Sequence, residues 1–476
     1  MKKITIFVAA LAVLASCNRE DQLGQLAGSE SNVNVKHYEA SELPVGVIPM
    51  NSSFSSSQKG KANAGVQVNY TYRGYAEPVT LSLGTVNLAA SSVLSINDML
   101  FVTWHDHDNG NSSSVKAFGG AICAYKQSGI GQYRLTDRID FADADYHEVA
   151  GSINKEVGNY ELVMVGQRNQ ASSGYLLESH AGAIVSRIDY DYINDEFWEP
   201  SFKELPLPGV SANGVVAAVK GYFIVTGNGE GGENLDPTAL DYSGHVYSVN
   251  RDLTNVIAMW SLTGDGIEIA ADSRSLSPTS ADLVVASRTK NTSGDYNMQL
   301  HKFVVNETSP GVRTVAQTPL AATTTKVDDM IPNERGSIVF VESMFGDQAI
   351  FVAVAQDGTG GTRSIYSVDG SGDLVPNLNA TYGTCQSAAY DVSNDLLYYG
   401  AGDDGLRILA GPTFAGFAGP LVNDFDVVGE FDDPKDAGGV LIGPGIDEVK
   451  EIAIYQSRNI AIVTGNDGVY FIQKDK

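Results

Sequence analysis

The sequence repeats itself at intervals of about sixty residues. Gly120-Ala121-Ile122, Gly182-Ala183-Ile184 and Gly244-His245-Val246 begin 62 residues apart, and Ile224–Asn228 recurs unchanged as Ile462–Asn466. A unit of this length buries its apolar surface against its neighbours. The repeat therefore predicts an array of similar units.

Each unit contains short runs of Val, Ile, Tyr, Phe and Thr between clusters of Gly, Asn and Asp, and the chain has 50 glycines. Four such runs in sixty residues predict a four-stranded antiparallel blade of a β-propeller. The predicted second strands are Leu100–Trp104, Leu162–Gly166, Phe223–Gly227, Leu283–Ser287, Ile350–Ala355, Leu396–Gly400 and Ala461–Gly465. The predicted fourth strands lie near 133–141, 201–207, 255–263, 313–320, 373–378 and 424–431.

The seventh unit ends with its third strand at Lys476, and Pro78–Val86 is predicted to supply the fourth. This N-terminal strand would join the last blade and leave no open sheet edge. The fold class predicted is therefore an all-β, seven-bladed propeller over residues 77–476. The pattern resembles propellers of the YVTN/quinoprotein-like kind, and it lacks the Gly-His and Trp-Asp pairs of WD40 repeats.

The N-terminus has the form of a secretion signal. Lys2 and Lys3 precede an apolar run, Ile4–Ala15, that is too short to span a membrane. Leu14-Ala15-Ser16-Cys17 resembles the lipobox of bacterial lipoproteins, which implies a signal peptide over 1–16 and acylation of Cys17. An ordinary secretory signal is the alternative.

Residues 17–76 are rich in Ser, Asn, Gly and Gln and predict a flexible tether. Asn18-Arg19-Glu20-Asp21 resembles the surface-export signal of Bacteroidota lipoproteins, although random charges in a tether are the alternative. The resemblance implies an outer-membrane protein exposed at the cell surface and held there by its lipid alone.

The formal net charge is −26, so nucleic acid is not expected as a partner. Cys123 and Cys385 lie in separate apolar segments and are predicted to be buried free thiols, with a disulfide as the alternative.

In a propeller, the loops between second and third strands share one face with the loops that join consecutive blades. The first four such loops are predicted to be long, at about 105–119, 167–181, 227–243 and 288–296, whereas the last two are tight turns. Long loops on one face predict a walled ligand site, with neutral insertion as the alternative. The candidate ligand-binding residues are Trp104, His105, His107, Gln167, Arg168, Tyr175, Glu230, Asn234, Arg288 and Lys290.

His105-Asp106-His107-Asp108 alternates imidazoles and carboxylates, and either pair could contribute to a metal site. No second ligand cluster with matching spacing is identified, so neither a metal nor a cofactor is predicted. The chain also lacks Gly-x-Ser-x-Gly, His-Glu-x-x-His, P-loop and Rossmann motifs, which argues against an enzyme.

A propeller lipoprotein with a walled face resembles the ligand-capturing lipoproteins of gut Bacteroidota. The resemblance implies capture of a small ligand (cofactor, siderophore or glycan) and transfer to a TonB-dependent transporter. Two alternatives stay open: a glycan-active hydrolase or lyase of the cell envelope, and a protein-interaction scaffold or adhesin.

Overall fold

Strands and turns make up the described part of the chain, and no helix occurs in it. The computed structural model describes residues 35–38, 47–55, 69–81, 87–106, 119–129, 132–141, 144–155, 157–169, 181–209, 211–227, 244–290, 296–323, 336–342, 348–354, 365–368, 373–376, 387–394, 396–400, 405–410, 427–431, 446, 449–455, 460–465 and 468–474. Within these ranges, no helix is long and apolar enough to cross a membrane.

The strands form six hydrogen-bonded sheets, named A to F here in chain order. Four strands precede them in sequence: β1 (Val35–His37), β2 (Ile48–Ser55), β3 (Asn69–Ala76) and β4 (Val79–Thr80). Sheet A contains β5 (Asn87–Ile96), β6 (Met99–Asp106), β7 (Gly120–Gly129) and β8 (Gln132–Phe141), with β4 beside β5 and β1 beside β8. Sheet B contains β9 (Ala144–Asn154), β10 (Asn159–Asn169), β11 (Ala181–Asp191) and β12 (Glu196–Leu207).

Sheet C contains β13 (Ser211–Ala218), β14 (Gly221–Gly227), β15 (His245–Asn250) and β16 (Val256–Ser261). Sheet D has eight strands in two antiparallel halves: β17 (Asp265–Ala271), β18 (Ser280–Lys290), β19 (Tyr296–Ser309) and β20 (Val312–Thr323), then β21 (Gly336–Glu342), β22 (Gln348–Val354), β23 (Ile365–Val368) and β24 (Asp373–Pro376). A short parallel contact between β20 and β24 joins the halves.

Sheet E contains β25 (Ala388–Asp391), β26 (Leu396–Gly400), β27 (Leu406–Ala410) and β28 (Val427–Phe431). Sheet F contains β29 (Glu451–Tyr455), β30 (Ile460–Gly465) and β31 (Gly468–Lys474), followed by β3 and β2. Multiple four-stranded antiparallel sheets in a nearly all-β chain are consistent with the predicted β-propeller. Each predicted second and fourth strand overlaps a strand of the structure.

Burial changes with position in a sheet. All seven residues of β14 are buried, because this second strand is covered on both faces, and Thr226 is the one polar side chain in its sequence. The fourth strand β12 instead alternates buried and exposed residues along much of its length, as a half-covered strand does. The second strand β14 is therefore more apolar than the fourth strand β12 because it is more fully covered.

The cores lie between successive sheets. Phe101 of sheet A packs with Tyr160 and Tyr190 of sheet B, and Phe223 of sheet C lies in one cluster with Phe303 of sheet D. Further apolar clusters connect sheet B to sheet C, the two halves of sheet D, sheet E to sheet F, and sheet F to sheet A.

Backbone amides of some first strands donate to side chains of the neighbouring first strand. The three donor–acceptor pairs are Val93 N to Glu451 Oε2 (3.1 Å), Val149 N to Ser92 Oγ (3.2 Å) and Val215 N to Glu148 Oε2 (3.0 Å). These bonds link β29 to β5, β5 to β9 and β9 to β13. They fix how sheets F, A, B and C are aligned along the strand direction.

The prediction that Pro78–Val86 lies beside the C-terminal strand is wrong. Val79–Thr80 pairs with β5, residues 82–86 lie outside the described part, and β3 occupies the place beside β31. Tyr70 and Tyr72 of β3 alternate and are buried, but a register shift before Gly74 breaks the period-2 pattern that marks a strand in the sequence.

Residues 17–76 have the composition of a spacer, yet their described part contributes three strands to the sheets. β1 pairs with β8 at the edge of sheet A, and β2 pairs with β3 in sheet F. Of the two cysteines after Cys17, Cys123 is a buried free thiol, and burial raises its pKa to about 12. Cys385 lies outside the described residues.

Candidate functional site

The candidate residues that the structure describes lie at one end of the sheets, where second strands end and first strands begin. His105 is near the end of β6, Gln167 and Arg168 are near the end of β10, and Arg288 is near the end of β18. Antiparallel pairing places the starts of the neighbouring first strands at the same level, because Gln167 pairs with Asp145 of β9. This end of the sheets is called the upper end below.

Asp145 and His147 form a cluster with His105, and neither was among the residues predicted from the sequence. One possible ligand atom from each side chain lies within 4.8 Å of the other two. His105 Nδ1 is 3.9 Å from Asp145 Oδ1, and the two imidazole rings are 6.0 Å apart at 72°. Their exposed fractions are 1% for each histidine and 0% for Asp145.

Two neighbouring sheets build this cluster. His105 comes from β6 of sheet A, whereas Asp145 and His147 stand two residues apart on β9 of sheet B. The pairing of β9 with β10 shifts register after Tyr146, which leaves His147 as the extra residue of a β-bulge. Bulges redirect side chains beside sites, and β5, β13 and β17 have the same shift at the matching position.

A glycine of the repeat allows sheets A and B to meet closely here, because a Cβ added at Gly120 of β7 would lie 2.8 Å from the Ala144 carbonyl oxygen of β9. Within sheet B, a Cβ added at Gly166 of β10 would lie 1.9 Å from the Asp145 carbonyl oxygen of the paired strand. Gly120 is the first glycine of the 62-residue repeat, so at this position the repeat marks the approach of a third strand to the next sheet.

Arg168 and Arg288 are already paired with carboxylates at the upper end. Arg168 is 3.3 Å from Glu204 of β12, with side chains 6% and 2% exposed. Arg288 Nε and a terminal nitrogen donate to Asp265 Oδ2 at 2.9 and 2.7 Å, and both residues are buried. The carboxylates neutralise both guanidinium groups, so these arginines brace the strand ends.

Trp104 and Gln167 are also buried. Trp104 packs in the apolar cluster between sheets A and F, so no face of its indole is exposed for stacking. Lys290 ends β18 opposite Tyr296, and its side chain lies outside the described part. Four candidates and the acylation site also lie outside it: His107, Tyr175, Glu230, Asn234 and Cys17.

The sequence contains a second segment with matching spacing, contrary to the expectation above. Asp145 and His147 are two residues apart, as His105 and His107 are. They lie near the start of β9, the first strand of the next unit. The signal was therefore in the sequence, but only the meeting of β6 and β9 shows that the two segments share a site.

No protein-family model matches this chain, and no curated protein matches it. The crystal structure of Sqt1 from Chaetomium thermophilum is similar to it, at 12% sequence identity over 91% of this chain and 98% of that chain, with a TM-score of 0.46.

Proposed function

We propose that this chain is a lipid-anchored, seven-bladed propeller that captures a small ligand at its upper end. The blade count is supported by the two halves of sheet D, which with the other five sheets give seven four-stranded sets. Closure by β3 is supported by its pairing with β31 and by the apolar cluster that sheet F shares with sheet A.

One observation carries the functional proposal: polar side chains and long connections occur at the same end of the molecule. His105, Asp145 and the Arg168–Glu204 pair lie there, near the strand ends that are joined in sequence by residues 107–119, 170–180 and 228–244. At the opposite end, β5–β6 and β13–β14 are joined by two residues each, 97–98 and 219–220. Length beyond what a turn needs costs conformational entropy, and ligand binding offsets such a cost in many proteins.

The proposed location and partner rest on the sequence. The lipobox at Cys17 supports a lipid anchor, and the acidic residues after it support display at the outer surface of the outer membrane. A captured cofactor, siderophore or glycan would then pass to a TonB-dependent transporter. The acidic chain favours neutral or cationic ligands, because Arg168 and Arg288 are neutralised internally.

Calorimetry on the full chain in detergent tests this proposal against cobalamin, ferric siderophores and glycans. We expect one class to bind at one ligand per chain. Tyr175→Ala with Asn234→Ala should weaken that binding at least about tenfold, the loss expected for about 1.4 kcal/mol of contact energy. Asn255→Ala, in the exposed β15–β16 turn at the opposite end, is the matched control and should bind normally.

Two results would contradict the proposal. One is the absence of binding in all three ligand classes. The other is catalytic turnover of a glycan by the same preparation, which would favour the hydrolase or lyase alternative.

A further inference from the structure

We infer that His105, Asp145 and His147 bind a divalent first-row transition-metal ion at the junction of sheets A and B. The three side chains come from two sheets, and their possible ligand atoms lie within 4.8 Å of one another. This inference does not depend on ligand capture at the upper end, because a bound ion could serve any function of the sheet junction.

The donor set determines the class of ion. Two imidazoles with one carboxylate suit Zn²⁺, Fe²⁺ and neighbouring ions, and three-residue His/His/carboxylate sets recur in zinc and iron proteins. Ca²⁺ and Mg²⁺ instead prefer oxygen ligands alone. Three protein ligands also leave a coordination position for water or another donor.

The possible ligand atoms are somewhat farther apart than atoms bound to one zinc ion would be. Zinc–ligand bonds of about 2.0–2.2 Å place tetrahedral ligand atoms about 3.3–3.5 Å apart. His105 Nδ1 and Asp145 Oδ1 are 3.9 Å apart. All three possible ligand atoms lie within 4.8 Å of one another, so ion binding would draw them together by at most about 1.5 Å.

The backbone that holds two of the ligands is fixed. Tyr146, between Asp145 and His147, accepts a hydrogen bond from Ser91 Oγ at its carbonyl oxygen (2.7 Å) and forms one through its hydroxyl with Ser186 Oγ (2.7 Å). Its ring also packs edge-on against Phe141 at 4.8 Å. Metal sites depend on such supporting contacts, since loose ligands lose affinity.

A buried ion at this position would stabilise the contact between sheets A and B. All three side chains are almost completely buried, so the coordination bonds would be shielded from bulk water. Because β6 belongs to sheet A and β9 to sheet B, the ion would cross-link the two sheets. Metal bound only by the folded chain raises the stability of that chain.

Metal analysis and competition titration with Zn²⁺ test the inference on the full chain in detergent, after chelator treatment. We expect one Zn²⁺ per chain. His105→Ala, His147→Ala and the near-isosteric Asp145→Asn should each lower the affinity about 100-fold or more, beyond the effect of losing a supporting contact. His301→Ala removes a buried histidine of β19 outside the cluster and should bind Zn²⁺ like the parent.

Co²⁺ provides a second measurement that does not rely on the alanine variants. The parent loaded with Co²⁺ should show the visible absorption bands of nitrogen-ligated low-coordinate cobalt, and Asp145→Asn should alter them. The inference is overturned if the parent binds no Zn²⁺ above background. It is also overturned if the cluster variants bind as the parent does, which would place the ion on surface carboxylates. If the alanine variants fail to fold, Asp145→Asn and the parent's cobalt spectrum decide between these outcomes.

Discussion

Arg288 and Asp265 illustrate how strongly one charge at the upper end depends on its partner. Both side chains are nearly inaccessible to water, and the guanidinium donates twice to one carboxylate oxygen. The carboxylate also packs tightly against Gly227, because a Cβ at Gly227 would lie 2.3 Å from Asp265 Oδ1. Removing one member leaves the other charge buried without its counter-ion.

We predict that Arg288→Met lowers the free energy of unfolding by about 3–5 kcal/mol, as expected when a buried ion pair loses one partner. Arg274→Met provides the control, because the Arg274–Asp272 pair is 41% and 15% exposed. Exposed pairs contribute about 0–1 kcal/mol. Urea denaturation followed by fluorescence measures both values, and equal losses would show that burial does not determine the cost.

Gly166 is predicted to be intolerant of any side chain. Gly166→Ala would place a methyl group against the backbone of Asp145, and backbone cannot rotate away. We expect a loss of about 1–3 kcal/mol or more from overpacking. At Gly129 the nearest atom to an added Cβ is the Gln132 amide oxygen at 3.1 Å, which is the end of a flexible side chain. Gly129→Ala should therefore leave the melting temperature nearly unchanged, and a matching fall in both variants would contradict this explanation.

At the scale of one element, Asp137 of β8 anchors β1. Its carboxylate contacts His37 Nε2 at 2.7 and 2.8 Å and accepts hydrogen bonds from the amides of Arg138 and Phe197. The hydrogen bond to Asp137 is the largest cause of the raised His37 pKa, and the charges of Asp137 and Glu199 also raise it, against the opposing effect of burial. The attachment of β1 is therefore coupled to a proton.

The sign of the pH dependence follows from the raised pKa. The His37–Asp137 stabilisation is complete below pH 6.5, the ordinary pKa of the imidazole, and it is lost as the pH rises through the higher value in the folded chain. We predict faster hydrogen exchange of the β1 amides at about pH 8.5 than at about pH 6, after correction for intrinsic rates. His37→Gln should remove this difference, and an unchanged difference would assign it to another group.

The strands could be predicted from the sequence more completely than the candidate site could. Largely apolar runs such as Phe223–Gly227 identified the second strands, because strands covered on both faces contain few polar residues. The sequence did not predict β3, because its register shift at Gly74 interrupts the alternation that begins with Tyr70 and Tyr72. The cluster of His105 with Asp145 and His147 needed the packing of two units, which spacing within either segment does not show.

At the scale of the whole molecule, sheet F depends on a strand from the opposite part of the chain. Tyr70 and Tyr72 of β3 are buried in the cluster between sheets E and F, and β3 covers the edge of β31. Without β3, β31 would expose unpaired amides and carbonyls, a pattern that promotes association with other chains.

We predict that a chain beginning at residue 77 aggregates and unfolds at a lower temperature than a chain beginning at residue 47. Both lack β1, but only the second retains β2 and β3. Size-exclusion chromatography and thermal denaturation measure the difference. A monomeric chain from residue 77 with an unchanged melting temperature would remove the stabilising role assigned to β3.

The pairing of β3 with β31 can form only after nearly the whole chain has been synthesised. Arg73 Nε donates to Gln473 Oε1 at 2.6 Å across 400 positions of sequence. Ribosomes add about 5–20 residues per second, so β3 waits roughly 20–80 seconds for its partner to be translated. A nascent chain that stays incomplete for this interval would remain in the extended form that the proposed secretion requires.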